Sequence, residues 1–215
     1  MTEKAYLPAK PTSANIAEMK QLRLILLLFF CLATVSCSMF ASRQQELNAE
    51  LMRAIKAANA DALDEALSRG ANPDASTGSK GTALGTLIQQ YKRSHQERRG
   101  RIEKCTKILL EYNADPEMLH HGFTPLQIAT GQGSDVIVVE LLRCKANPSR
   151  ETAAGLAPIW QAVYTNNYRI GMELLRAGAN PNATDAKGRT PLEYLRSCGY
   201  QRTRLMIMLR HYGGH

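Results

Sequence analysis

The sequence predicts an all-α fold, a solenoid of about five helix–turn–helix repeats with short β-turn tips. Three observations predict it. The apolar positions Leu126, Ile159 and Leu192 recur 33 residues apart. A stop of the form Ala-Asn-Pro or Ala-Asp-Pro appears at Ala71, Ala114, Ala146 and Ala179. Between Gly155 and Ala183 the chain reads as a turn, a short helix, a reversal, a second helix and a stop. There Pro158 suits a first helical turn, where a missing N–H costs nothing. Ile159 and Ala162 share one helix face, and Ile170, Leu174 and Leu175 form an apolar stripe on the next helix. Gly178 can take the left-handed conformation that ends a helix, and Pro181 prevents its resumption. Two such helices cannot bury both apolar faces alone, so the unit requires stacked neighbours.

The neighbours open in the same way, with Gly122-Phe123-Thr124-Pro125-Leu126 and Gly188-Arg189-Thr190-Pro191-Leu192, and Leu174-Leu175-Arg176-Ala177-Gly178-Ala179 closes a helix. This pattern at a period of 33 resembles the ankyrin repeat, over roughly residues 46 to 214. The first repeat lacks the Gly-x-Thr-Pro opening. Leu51, Ala54 and Ile55 supply its inner helix, and Ala62, Leu63, Ala66 and Leu67 its outer one. Glu46, Glu50, Arg53 and Lys56 suit the wet face of an end repeat. The second repeat opens with Thr82-Ala83-Leu84, where the Thr82 hydroxyl can still cap a helix.

From Leu84 to Cys105 is 21 residues, against 11 between the matching positions of the third and fourth repeats. Ten residues are therefore inserted near Gln89–Arg101, a stretch with five basic residues and one acidic. It reads as a solvated loop or as lengthened helices, with an acidic protein patch or anionic lipid as the alternative contact. As a loop it is expected to be dispensable for folding. The third repeat has Gln127, and the fourth Trp160, where the family usually has His. Lys145 replaces the stop glycine, at a cost of about 1 kcal/mol if it is left-handed. In the fifth repeat Leu192 and Leu205 are 13 apart, so two residues are inserted. Cys105 takes the place held elsewhere by Ile137, Ile170 and Leu205, and reads as a small buried hydrophobe.

Ahead of the repeats, residues 24 to 42 carry no charge, and Lys20 and Arg23 precede them. A basic stretch, a short apolar core and small residues read as a secretory signal covering residues 1–36, with Met19 as an alternative start. Thr34-Val35-Ser36-Cys37 resembles a bacterial lipobox, although Thr34 stands where Leu is commonest. That resemblance implies cleavage before Cys37 and acylation of Cys37, with residues 37–45 as lipidated Cys and short linker and 46–215 as the repeat domain. More than one acyl chain anchors stably, at ~0.8 kcal/mol per buried methylene. Ser38 after the Cys implies the outer membrane, facing the periplasm. The alternative is an inner-membrane anchor formed by an uncleaved helix, since 19 uncharged residues can just span a bilayer.

A net charge of +8 raises anionic partners, but no aromatic-basic recognition module accompanies it, so nucleic acid is not expected. Phosphate loops, serine elbows and His-Glu-x-x-His are missing from the sequence, so neither an enzyme, a small-molecule substrate nor a cofactor is expected. The adjacent His120 and His121 cannot chelate one metal from a turn, and no further ligand joins them. Cys105, Cys144 and Cys198 stand at no metal-ligand spacing. Ankyrin repeats by resemblance bind proteins, so an unidentified protein partner is expected for a monomeric chain tethered to the membrane by its lipid. It acts either as a scaffold or as a periplasmic inhibitor or immunity protein that neutralises a toxin or hydrolase. A host-directed effector is disfavoured, because a tethered protein does not leave the cell. The resemblance places partner contacts on turn tips and inner-helix ends. These are His120, His121, Phe123 and Gln132, then Leu156, Tyr164 and Thr165, then Lys187, Arg189 and Ser197. Phe123, Leu156 and Tyr164 are expected to expose apolar or aromatic surface on one concave face. Trp160 suits either the core or an anchor.

Overall fold

The computed structural model describes residues 39–76, 81–199 and 203–215. The predicted signal segment and Cys37 lie outside the described residues. The chain divides into two units, Met1–Gln45 and Glu46–His215. Of the first, the described residues 39–45 are helical. The second opens with helix α1 over 46–57. It continues through α2 (Ala60–Ser68), α3 (Ala83–Gln89), α4 (Gln96–Glu111), α5 (Pro125–Gln132), α6 (Asp135–Arg143), α7 (Pro158–Tyr164), α8 (Tyr168–Arg176), α9 (Pro191–Ser197) and α10 (Arg204–His211). From α3 onward the odd-numbered helices stack on one another as an inner layer, and α2, α4, α6, α8 and α10 stack as an outer one. Extended pairing among the described residues is limited to two isolated bridges at the tips, Ser76 with Thr82 and His120 with Phe123.

The repeat period is the spacing of core anchors. Leu84, Leu126, Ile159 and Leu192 are all buried on the inner helices, and Cys105, Ile137, Ile170 and Leu205 are buried on the outer ones. Each large aliphatic side chain so placed contributes ~1.5–3 kcal/mol relative to exposure. Burial also pushes the Cys105 thiol up to about 11, consistent with its place as a small hydrophobe.

Inner helices begin with a cap whose third helical residue varies. Thr124 Oγ1 accepts from Gln127 N–H while Gln127 Oε1 accepts from Thr124 N–H at 2.9 Å, a reciprocal capping box. Thr190 and Glu193 repeat it in α9. Gln127 Nε2 also donates to Arg150 O at 2.7 Å, and Trp160 Nε1, one repeat later, donates to Ala183 O at 3.0 Å. Both side chains thus tie an inner helix to the following tip. In α3 the Thr82 hydroxyl accepts from Gly85 N–H, as its sequence position suggests. Gly85 has no side chain with which to answer. His120, from the tip of the next repeat, fills the space, and its Nδ1 accepts the Thr82 N–H at 2.9 Å. A Cβ on Gly85 would lie 2.3 Å from the His120 Cβ and Cγ.

The Ala-Asn-Pro stops join the loops as well as ending helices. In each, the Asn or Asp oxygen accepts the N–H two residues on, as at Asn72–Asp74, Asp115–Glu117, Asn147–Ser149 and Asn180–Asn182. The second side chain of each pair then reaches forward. Asp74 accepts from Asp115 N–H, Glu117 from Asn147 N–H, Ser149 from Asn180 N–H and Asn182 from His215 N–H, at 2.7–3.2 Å. At the helix stops themselves, Gly178 has φ +91° and Lys145 φ +64°. Lys145 therefore holds the strained left-handed conformation that glycine relieves.

The inserted stretch corrects one expectation. It is built into the frame, mostly as an outer helix, α4, lengthened to 16 residues. Arg98 donates from Nη2 to Lys56 O at 2.6 Å and to Gln90 Oε1 at 2.7 Å, joining it to the first repeat. Arg99 donates to the carbonyls of Tyr91 and Lys92 and stacks over the Tyr91 ring, whose hydroxyl donates to Glu103. Residues so hydrogen-bonded are not dispensable for folding, and the argument from loop length does not apply to them.

Candidate functional site

The residues singled out from the sequence fall into three places. At the third tip, His121 (φ +51°) and Gly122 (φ +88°) form a tight turn between His120 and Phe123. Two successive positive φ angles are what a primed hairpin turn requires. The turn leaves Phe123 47 % exposed and His121 exposed beside it. His120 is corrected. It is 3 % exposed, its ring is consumed by Thr82, and it is closed to a partner. Burial, together with the charge of His121, holds its pKa below the ordinary value.

The second place is an aromatic cluster across the fourth and fifth repeats. Trp160 is fully buried, so its role is core, with the indole N–H spent on Ala183. On it rests Tyr164, one turn later on α7, at 5.4 Å between ring centroids and 44 % exposed. Tyr194 of α9 meets both rings edge-on, at 5.8 Å from Trp160 and 5.2 Å from Tyr164. Edge-to-face contacts at such distances contribute ~0.5–1.5 kcal/mol beyond burial and fix the rings in place. Arg189 lies over Tyr194 at 5.0 Å. Its guanidinium donates twice to Asp185 Oδ2, at 2.9 and 2.7 Å. Burial pushes the Asp185 carboxyl up, but hydrogen bonds from Arg189 and the Lys187 N–H outweigh this and hold its pKa below the ordinary value. Lys187 stays exposed on the same tip. Sequence reasoning missed Tyr194 as a member. Its spacing from Trp160 is not helical, and only stacking of α7 against α9 brings the rings together.

The third place is a shallow trough where the inner helices turn outward. Gln132 and Thr165 line it with Lys92, Asn166 and Arg169, around about 400 Å³. Gln132 is half-buried, and its Oε1 accepts the Lys92 N–H at 3.2 Å. Leu156 is half-buried and packs on the core rather than standing free. Ser197 is exposed at the end of α9, where its hydroxyl donates to Tyr194 O. The expected convergence of Phe123, Leu156 and Tyr164 is thereby reduced to two exposed rings, Phe123 at a tip and Tyr164 in the aromatic cluster. Among the described residues no His, Cys, Asp and Glu group could hold a metal ion, and no helix is long and apolar enough to cross a membrane.

Stacked helix pairs, hairpin tips and a repeated Thr-Pro opening define an all-α ankyrin-repeat solenoid. The ankyrin-repeat family model matches residues 121–153, the third repeat and its following tip. A search of curated proteins found no significant match. The repeat suggests a protein–protein interaction module.

Proposed function

We propose that the chain is a lipid-tethered binding module, held by Cys37 to the periplasmic face of the outer membrane, whose repeats hold a partner protein near the envelope. The observation that carries the binding reading is the Tyr164 ring, half out in solvent yet fixed from beneath by Trp160 and from the side by Tyr194. A rigid aromatic with little rotamer freedom left to lose is the kind of side chain that anchors an interface. Phe123 supplies a second exposed ring, and Lys187 and Arg189 border the cluster with charge. The tether rests on the sequence around Cys37.

The test begins with affinity capture of the mature protein from envelope extracts and identification of what it retains. Phe123→Ala with Tyr164→Ala is expected to keep the melting temperature within a few degrees. It is expected to weaken binding of the captured protein by about 2 kcal/mol or more. Unchanged affinity in a folded double variant would place the contact elsewhere. For the tether, Cys37→Ala is expected to leave an uncleaved precursor that takes up no labelled palmitate. Equal labelling of that variant would refute lipidation at Cys37.

A further inference from the structure

The inserted stretch and the inner helices of the first three repeats enclose an open groove of about 750 Å³. Four cations line it, Lys56 from α1, Lys92 and Arg93 from the loop before α4, and Arg98 from α4, and no carboxylate is among the lining residues. Among the described residues none of the four forms a salt bridge. The Arg98 guanidinium is fixed by carbonyl oxygens alone, and Lys56, Lys92 and Arg93 stand exposed. Unneutralised like charges gathered in a concavity focus the field there and favour an anionic occupant. The rest of the lining is amide and hydroxyl, Gln90 and Gln132 included. Amide side chains both donate and accept, which suits a peptide backbone.

We propose that this groove seats an acidic, carboxylate-rich segment of a protein partner, an inference that rests on the array being a protein-binding module. The lining argues against the other anionic occupants. It has no apolar side chain to enter an acyl layer, as membrane-surface binding uses. It has no aromatic ring on which a nucleic-acid base would stack. The site exists because ten residues are inserted here. Without them Lys92, Arg93 and Arg98 would not be present to face Lys56.

The test is fluorescence anisotropy of a labelled octaglutamate peptide titrated with the full chain. Saturable binding that weakens as salt is added is expected, because exposed charges are screened. Lys92→Gln with Arg93→Gln is expected to weaken it by about tenfold or more at an unchanged melting temperature. Lys104→Gln with Lys107→Gln, which removes the same charge from the exposed face of α4, is expected to leave it unchanged. Equal loss in both variants would show attraction to net charge alone and overturn the proposal. Stronger competition by phosphatidylglycerol vesicles or by oligouridylate than by unlabelled octaglutamate would also overturn it. Phe123→Ala with Tyr164→Ala is expected not to affect octaglutamate. If octaglutamate fails to bind while a captured protein still depends on those two rings, the groove proposal falls and the binding module stands.

Discussion

The pairing of Gly85 with His120 predicts a strong coupling between two residues in different repeats. Gly85→Ala alone places a Cβ 2.3 Å from two atoms of His120 and 2.6 Å from its Nδ1, so the imidazole must leave. Overpacking costs ~1–3 kcal/mol. The abandoned Thr82 N–H adds ~1–3 kcal/mol as a buried donor without a partner. Better helix propensity returns only about 1 kcal/mol. The net expectation is a loss of about 3 kcal/mol. His120→Gly alone should cost about as much, through the lost acceptor and the space left behind. In the double variant the clash is gone and the propensity gain remains, so it should be no less stable than His120→Gly. That makes the coupling about 3 kcal/mol. Gly85→Gln in the His120→Gly background should recover ~1–2 kcal/mol, since Gln127 shows that an amide at this helical position accepts the cap N–H from within its own repeat. Urea denaturation followed by far-UV circular dichroism measures all four variants. Additivity within about 0.5 kcal/mol would refute the exchange of a cap between repeats.

Three further outcomes follow from particular side chains. Because burial holds the His120 pKa below its ordinary 6.5, the unfolded chain binds the extra proton first. The stabilisation is therefore complete above about 6.5 and is lost as pH falls from there through the folded value. Melting temperature against pH should fall less steeply for His120→Gly than for the wild type, and parallel curves would contradict it. Lys145→Gly relieves a left-handed lysine and should stabilise by about 1 kcal/mol, or roughly 2–4 °C in melting temperature. Cys144 and Cys198 are exposed and Cys105 is buried, so iodoacetamide followed by peptide mapping should mark the first two natively and Cys105 only after denaturation.

The repeat architecture was legible because it is written locally and several times over. Leu126, Ile159 and Leu192 each announce an inner helix, and each stop repeats the message. The insertion was legible as a length but not as a structure. A run such as Arg98-Arg99-Gly100-Arg101 looks like a solvated loop, and only the carbonyl of Lys56, over forty residues earlier, explains why Arg98 is held in a helix. His120 was misplaced for a related reason. Its neighbour Gly122 marks a tip, and tips are usually exposed. The vacancy that draws the imidazole inward belongs to Gly85, which in sequence is merely a glycine in a helix. Tyr194 and the basic groove likewise depend on stacking between repeats, which no window along the chain reveals.

Aspartate, glutamate, serine and asparagine all serve at the joint between successive loops, at Asp74, Glu117, Ser149 and Asn182. They can do so because the receiving group is a main-chain N–H, which every residue except proline carries. A fastening made from any short oxygen-bearing side chain and a peptide donor is indifferent to most substitution on either side of it. Units that mate in this way can be duplicated or exchanged without matched changes in their neighbours. The insertion before α4 could likewise be accommodated in the second repeat while the joint from Asp74 to Asp115, spanning it in sequence, stayed the same as the others. His215, at the position where a further Asn would stand, meets Asn182 on the same terms.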